Sequence, residues 1–103
     1  MTDGQYEIVL YRLKPDTNRD RFLAISAQAT AWLQQQPGYL GRELLEDDGQ
    51  WIDVVRWASR DDALSAASAF ASVPEAAVFM AVVEPDSVRM LHPSRIVDYG
   101  SST

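Results

Sequence analysis

"GQWIDVVRWAS", Gly49 to Ser59, decides the fold. Its residues alternate, with Trp51, Asp53, Val55 and Trp57 on one side and Ile52, Val54 and Arg56 on the other, which is the period-two pattern of a β-strand. A strand with one face in solvent would be polar on that face. Here both sides carry large apolar groups, so both faces are expected to be covered.

The flanking segments supply neighbours for this strand. "DDGQ", Asp47 to Gln50, has the Asp and Gly chemistry of a hairpin turn, and "LGRELLE", Leu40 to Glu46, reads as the strand on its far side. Tyr6 to Leu13 is a first strand, stopped by Pro15. Between them, Thr17 and Asp20 have capping-box spacing, and Phe22, Ile25, Ala29, Trp32 and Leu33 recur at helical intervals. These predict a helix over roughly 18 to 36, ended by Pro37 and Gly38.

Downstream, Ser59 and Asp62 repeat the capping-box spacing and open an alanine-rich helix with Ala63, Leu64, Ala67, Phe70 and Ala71 along one side. Val73-Pro74 interrupts it. Pro74 suits the first position of a further short helix, whose apolar face is Val78, Phe79, Val82 and Val83. "SVRML", Ser87 to Leu91, and "RIVDY", Arg95 to Tyr99, are strand-like runs on either side of "HPS".

The order β-α-β-β-α-β predicts an α+β, ferredoxin-like fold with an antiparallel sheet, in a single domain over 1–103. Helices in that fold cover one sheet face only. Ile52 and Val54 therefore point to a second copy packed sheet against sheet, a homodimer.

The same order of elements, "PGYLG" before strand two and "VVRWASRDDAL" from strand three into the second helix, resembles the antibiotic biosynthesis monooxygenase family over roughly 5 to 92. The resemblance implies a dimeric α+β barrel with a pocket between sheet and helices in each subunit. It brings in cofactor-independent oxygenases of polycyclic aromatic substrates, haem-degrading enzymes, and small-molecule isomerases or decarboxylases. The haem-degrading branch uses a strand-one asparagine, a tryptophan ending strand three and a helical histidine. Only the tryptophan has a counterpart, Trp57; the other two positions fall near Tyr11 and Met80, so haem chemistry of that kind is not expected.

Composition excludes several other classes. Nine Lys and Arg stand against fifteen Asp and Glu, a net charge of −6 with the basic residues scattered, which argues against nucleic-acid or anionic-membrane partners. The chain has no cysteine, and its single histidine with dispersed carboxylates gives no metal-ligand spacing, so no metal and no cofactor are expected. Phosphate loops, nucleophile elbows and dinucleotide fingerprints are lacking as well. The first residues do not read as a signal peptide, which gives a cytoplasmic expectation.

The candidate pocket residues are Trp57, Tyr11, Asp53, Phe79 and Met80. Trp57 would be an indole wall for a flat ligand, against the plainer reading of a large core residue. Tyr11 would orient a ligand oxygen with its hydroxyl, and Phe79 with Met80 would form the helical side. Asp53 needs a partner among Arg12, Arg42, Arg56 and Arg89; a buried ion pair is the plainer outcome, and an unpaired carboxylate would be a base. His92, beside Pro93 at a strand end, reads as a surface or interface residue. These residues suggest a site for a small aromatic or hydrophobic molecule, and the family resemblance implies a cofactor-free monooxygenase acting on it, with a non-catalytic small-molecule-binding or assembly dimer as the alternative.

Overall fold

The computed structural model describes residues 4–100; the first and last three residues of the expected 1–103 domain lie outside the described residues. Asp48 and Gly49 both take positive φ, 50° and 82°. That is the backbone of a two-residue hairpin whose twist matches the strands it joins. These strands are β2 (Tyr39–Asp47) and β3 (Gln50–Trp57). On its other side β3 pairs antiparallel with β1 (Gln5–Tyr11), and β1 with the short β4 (Arg89–Leu91), giving the order β2-β3-β1-β4. This is the ferredoxin-like α+β arrangement that the sequence predicts.

Three helices lie against one face: α1 (Arg19–Leu33), α2 (Arg60–Phe70) and α3 (Pro74–Val82). Ser59 caps α2, its hydroxyl accepting from the Asp62 amide at 3.1 Å. The cap of α1 is Asn18, which accepts from the Arg21 amide at 2.9 Å, rather than the expected Thr17. The Thr17 hydroxyl instead donates to the Lys14 carbonyl, closing the turn before the helix. Pro74 begins α3 and bends it by 81° from α2. Among the described residues no single helix is long and apolar enough to cross a membrane.

The register fixes which residues share a face. Val9 lies opposite Asp53 and Asp53 opposite Leu44, so these residues point together toward the helices with Glu7, Tyr11, Trp51, Val55 and Trp57. Two core clusters form there. One joins Tyr11, Phe22, Ile25, Trp51 and Phe79; the other joins Val55 and Trp57 to Ala63 and Ala66 of α2. The buried side of α2 is thus Ala63 and Ala66, while Leu64, expected on that side, is 41% exposed. Alanines at the contact let the helix approach the sheet closely.

The opposite sheet face stays open in the single chain. Ile8 lies across from Val54, and Leu10 and Leu45 flank Ile52, all apolar and at best half-buried. Expected burial of both faces is therefore met on the helical side only.

Beyond β4 the chain departs from the expected strand. "RIVDY" does not join the sheet, and Ile96 and Tyr99 are each 92% exposed. "HPS" is instead clipped to β1: the Tyr6 amide donates to the Pro93 carbonyl at 3.0 Å and the Arg95 amide to the Gly4 carbonyl at 2.7 Å. Pro93 has no N–H to extend a ladder. Ser87, expected at the start of the strand, lies in the short 3₁₀ turn Pro85–Ser87 and accepts from the Arg12 amide.

Candidate functional site

A cavity of about 200 Å³ separates the two core clusters. It exists because Ala29 of α1 and Ala66 and Ala67 of α2 present methyl groups where larger side chains would meet the sheet. Phe70, Phe79 and Met80 form the helical wall, and Val9, Val55 and Met90 the sheet wall. The lining is apolar except in one corner, where Glu7, Tyr11, Arg42 and Asp53 converge.

Arg42 and Asp53 dominate that corner. They sit on neighbouring strands, and Asp53 is opposite Leu44, so the long Arg42 side chain reaches it on the diagonal. Arg42 Nε donates to Asp53 Oδ1 at 2.8 Å and the terminal nitrogen Nη2 to Oδ2 at 2.5 Å, a bidentate pair. The other nitrogen, Nη1, donates to the Ser26 carbonyl, the Ser26 hydroxyl and the Thr30 hydroxyl at 3.0, 2.8 and 2.6 Å. Burial disfavours the Arg42 charge, yet the hydrogen bonds and charge of Asp53 outweigh it and hold the guanidinium pKa above its ordinary value. The cation is locked and locally neutralised.

Tyr11 places its hydroxyl 3.5 Å from Asp53 Oδ2. Burial, with the Asp53 charge, pushes its pKa up, so the phenol remains a neutral donor. Glu7, two positions before Val9 on β1, has no arginine partner among the described residues. Its Oε2 lies 3.2 Å from His92 Nε2. Burial raises the Glu7 pKa, opposed by the His92 hydrogen bond and reinforced by Asp53. His92 is held in place by its own backbone, whose carbonyl accepts from Arg60 Nη1 at 3.0 Å.

Of the sequence candidates, the structure brings Tyr11, Asp53, Phe79 and Met80 to the cavity wall. Trp57 lies outside it. Two positions past Val55 along β3, it has moved beyond the end of the cavity, is 1% exposed, and packs on Ala63 and Ala66 with its ring edge-on to Tyr39 at 5.9 Å. It borders a second, more open groove with Tyr6, Arg56 and Arg95, and its indole N–H has no hydrogen-bond partner among the described residues. His92, expected at a surface or interface, pairs with Glu7 and leaves 14% of its side chain exposed in the single chain. Glu7 itself escaped the sequence reading. The signal was available: period-two alternation back from Tyr11 through Val9 puts Glu7 on the same face.

No family model matches the sequence. A search of curated proteins finds no match either. Solved structures do match. SnoaB, a cofactor-independent oxygenase from Streptomyces nogalater, superposes with a TM-score of 0.79 at 15% identity, covering 94% of this chain and 97% of its own. Its fold is that of the antibiotic biosynthesis monooxygenase structures. Another of these matches with a TM-score of 0.68 at 14% identity over 90% of this chain and 99% of that one. Rv0793 from Mycobacterium tuberculosis gives 0.67 at 16%, over 93% and 98%. Among the described residues no group of three or more His, Asp or Glu side chains could hold a metal ion.

Two stability predictions follow from the corner. Arg42→Met strands the buried Asp53 charge and should cost about 3–5 kcal/mol in urea unfolding. The double variant Arg42→Met/Asp53→Leu should recover most of that loss; equal or greater loss in the double variant would show that the pair is not what Arg42 contributes. For Glu7, a folded-state pKa above the unfolded 4.5 means that the folded chain binds the proton more tightly. Its favourable contribution is complete below that pH and is lost as pH rises through the raised value. Glu7→Gln, which cannot ionise, should therefore raise Tm relative to wild type at pH 7, with the gap closing toward pH 4.

Proposed function

We propose that this chain is a cytoplasmic, homodimeric monooxygenase that needs no cofactor and acts on a small aromatic molecule bound in the cavity. The observation that carries the reading is the apolar cavity with a single polar corner. It is the arrangement that fixes the orientation of a flat ligand by one hydroxyl or carbonyl while the rest of the ring is desolvated. A fold shared with SnoaB supports it.

Size narrows the ligand. The volume, about 200 Å³, lies between the roughly 150 Å³ cavity that accepts benzene and the range of about 300–1,000 Å³ typical of drug-sized ligands. One or two fused rings fit, and a porphyrin does not. Charge narrows it further. With Arg42 saturated by Asp53, Ser26 and Thr30, the corner offers no free cation, and Glu7 faces an incoming carboxylate with like charge. The ligand is therefore a neutral phenol or ketone.

Thermal shift with α-naphthol tests this directly. At a hundredfold excess over its Kd, a ligand bound only by the folded state adds about 2.7 kcal/mol, which should raise Tm by several degrees. Ala67→Leu, which fills the cavity from α2, should abolish the shift while the variant stays folded. No shift for the wild type with any one- or two-ring phenol would remove the pocket reading.

The homodimer rests on the open sheet face, where Ile8, Leu10, Ile52 and Val54 form a contiguous apolar surface of the kind that marks an interface. Light scattering at micromolar concentration should give twice the 11.5 kDa chain mass. Val54→Asp should halve it; a monomeric wild type would sink the assembly.

A further inference from the structure

We propose that Glu7 is the base that takes the hydroxyl proton of a bound phenol, and that His92 passes that proton on to solvent. The inference rests on the oxygenase reading above and goes beyond it by assigning the proton-transfer step to residues of this chain.

Placement is the first argument. Glu7 lies on β1, one of the two inner strands of the sheet, it lines the cavity, and its side chain is 9% exposed. Behind it, Nε2 of His92 lies 3.2 Å from Oε2 and the histidine side chain is 14% exposed, so the imidazole bridges the buried acid and the surface. The pair spans from cavity to outside. A carboxylate in the cavity wall with a histidine behind it is the geometry of a base and its relay.

The neighbours separate Glu7 from the other acid. Asp53 on β3 is spoken for by both strand-side nitrogens of Arg42 on β2, and Tyr11 on β1 directs its hydroxyl at the same carboxylate. The charged groups that act on Glu7 are His92, Asp53 and Arg42, and Arg60 of α2 binds the His92 carbonyl rather than the ring. Asp53 is engaged in structure. Among the described residues the side-chain partner of the Glu7 carboxylate is the His92 ring.

The segment that carries His92 is anchored more firmly than an idle loop requires. The Tyr6 amide donates to the Pro93 carbonyl, the Ser94 hydroxyl to Gln5 Oε1 at 2.7 Å, and the Arg95 amide to the Gly4 carbonyl. These bonds hold "HPS" alongside the start of β1, two residues from Glu7, and so fix the imidazole against the carboxylate. A preorganised base needs this kind of support.

The step balances. Glu7 accepts the O–H proton of α-naphthol, leaving a naphtholate whose charge is delocalised onto the ring carbon para to oxygen. That carbon bonds dioxygen, all the reducing electrons coming from the naphthol. The peroxide anion so formed takes one proton back from solvent, and the resulting hydroperoxide loses the ring hydrogen and hydroxide as water, giving para-naphthoquinone. One oxygen atom of dioxygen ends in the quinone and the other in water, and no external reductant is consumed.

The test uses the full chain, α-naphthol and dissolved oxygen, with binding read by thermal shift and turnover by quinone absorbance and oxygen uptake across pH 5 to 9. Wild type should turn over with a rate that rises with pH through a midpoint above the ordinary carboxylate range. Glu7→Gln should bind α-naphthol within a few-fold of wild type and lose about 10²–10⁴-fold in kcat. His92→Gln should keep binding, lose rate, and shift the midpoint. Wild-type kcat in Glu7→Gln, or parallel loss of binding and kcat, overturns the base assignment while the pocket reading stands. Should Glu7→Gln not fold, His92→Gln decides, and an unchanged pH profile there overturns the relay. A wild type that binds no phenol and forms no quinone overturns the oxygenase reading and this inference with it.

Discussion

The Arg42 to Asp53 pair is the constraint around which this molecule is arranged. A guanidinium buried between sheet and helix must have every donor answered, and here Asp53 takes one edge while Ser26 and Thr30 of α1 take the other. The consequence is geometric. Three elements, α1, β2 and β3, are pinned at one point, which sets the height and rotation of α1 above the sheet. The burial of Phe22, Ile25 and Ala29 on the same helix then follows.

That same pair sets the chemistry of the cavity beside it. A free arginine would make an anion site, and a free aspartate would be an unpaired carboxylate in the cavity wall. Locked together they leave a polar but nearly neutral surface, beside which stand the Glu7 carboxylate, paired with His92 rather than with an arginine, and the neutral phenol of Tyr11. Aromatic contacts hold the far wall in place, since Tyr11 meets Phe79 edge-on at 5.5 Å and Phe22 meets Phe79 at 5.7 Å. The cavity persists because its rigid walls cannot collapse onto the alanines of α1 and α2.

Much of this was legible in the sequence, and the failures have physical causes. Alternation along Trp51 to Trp57, the Asp-Gly turn and the Ser59 cap each rest on local rules, and each is found where those rules put it. Tyr11 and Asp53 share a face by period two alone. What could not be read is how far along a strand a cavity extends, which depends on helix height; hence Trp57, on the right face, packs against α2 beyond the cavity end. "RIVDY" has strand composition, but Pro93 has no N–H to carry the ladder past β4. His92 looked peripheral because the Glu7 that draws it inward is eighty-five positions away.

Three departures from ordinary packing meet on β1. Glu7 is a buried carboxylate held above its ordinary pKa, the space beside Val9 is unfilled, and Ile8 and Leu10 face outward without cover in the single chain. A strand selected for stability alone would carry none of these. Alternation makes them inseparable, because a strand that turns Glu7, Val9 and Tyr11 toward the helices must turn Ile8 and Leu10 the other way. Cover over the outer face would hold the backbone of β1 from behind, and with it the position of Glu7 against His92. If the proposed dimer forms on that outer face, loosening it would be felt first in the geometry of the Glu7–His92 pair rather than in the cavity walls, which Phe22 and Phe79 support independently.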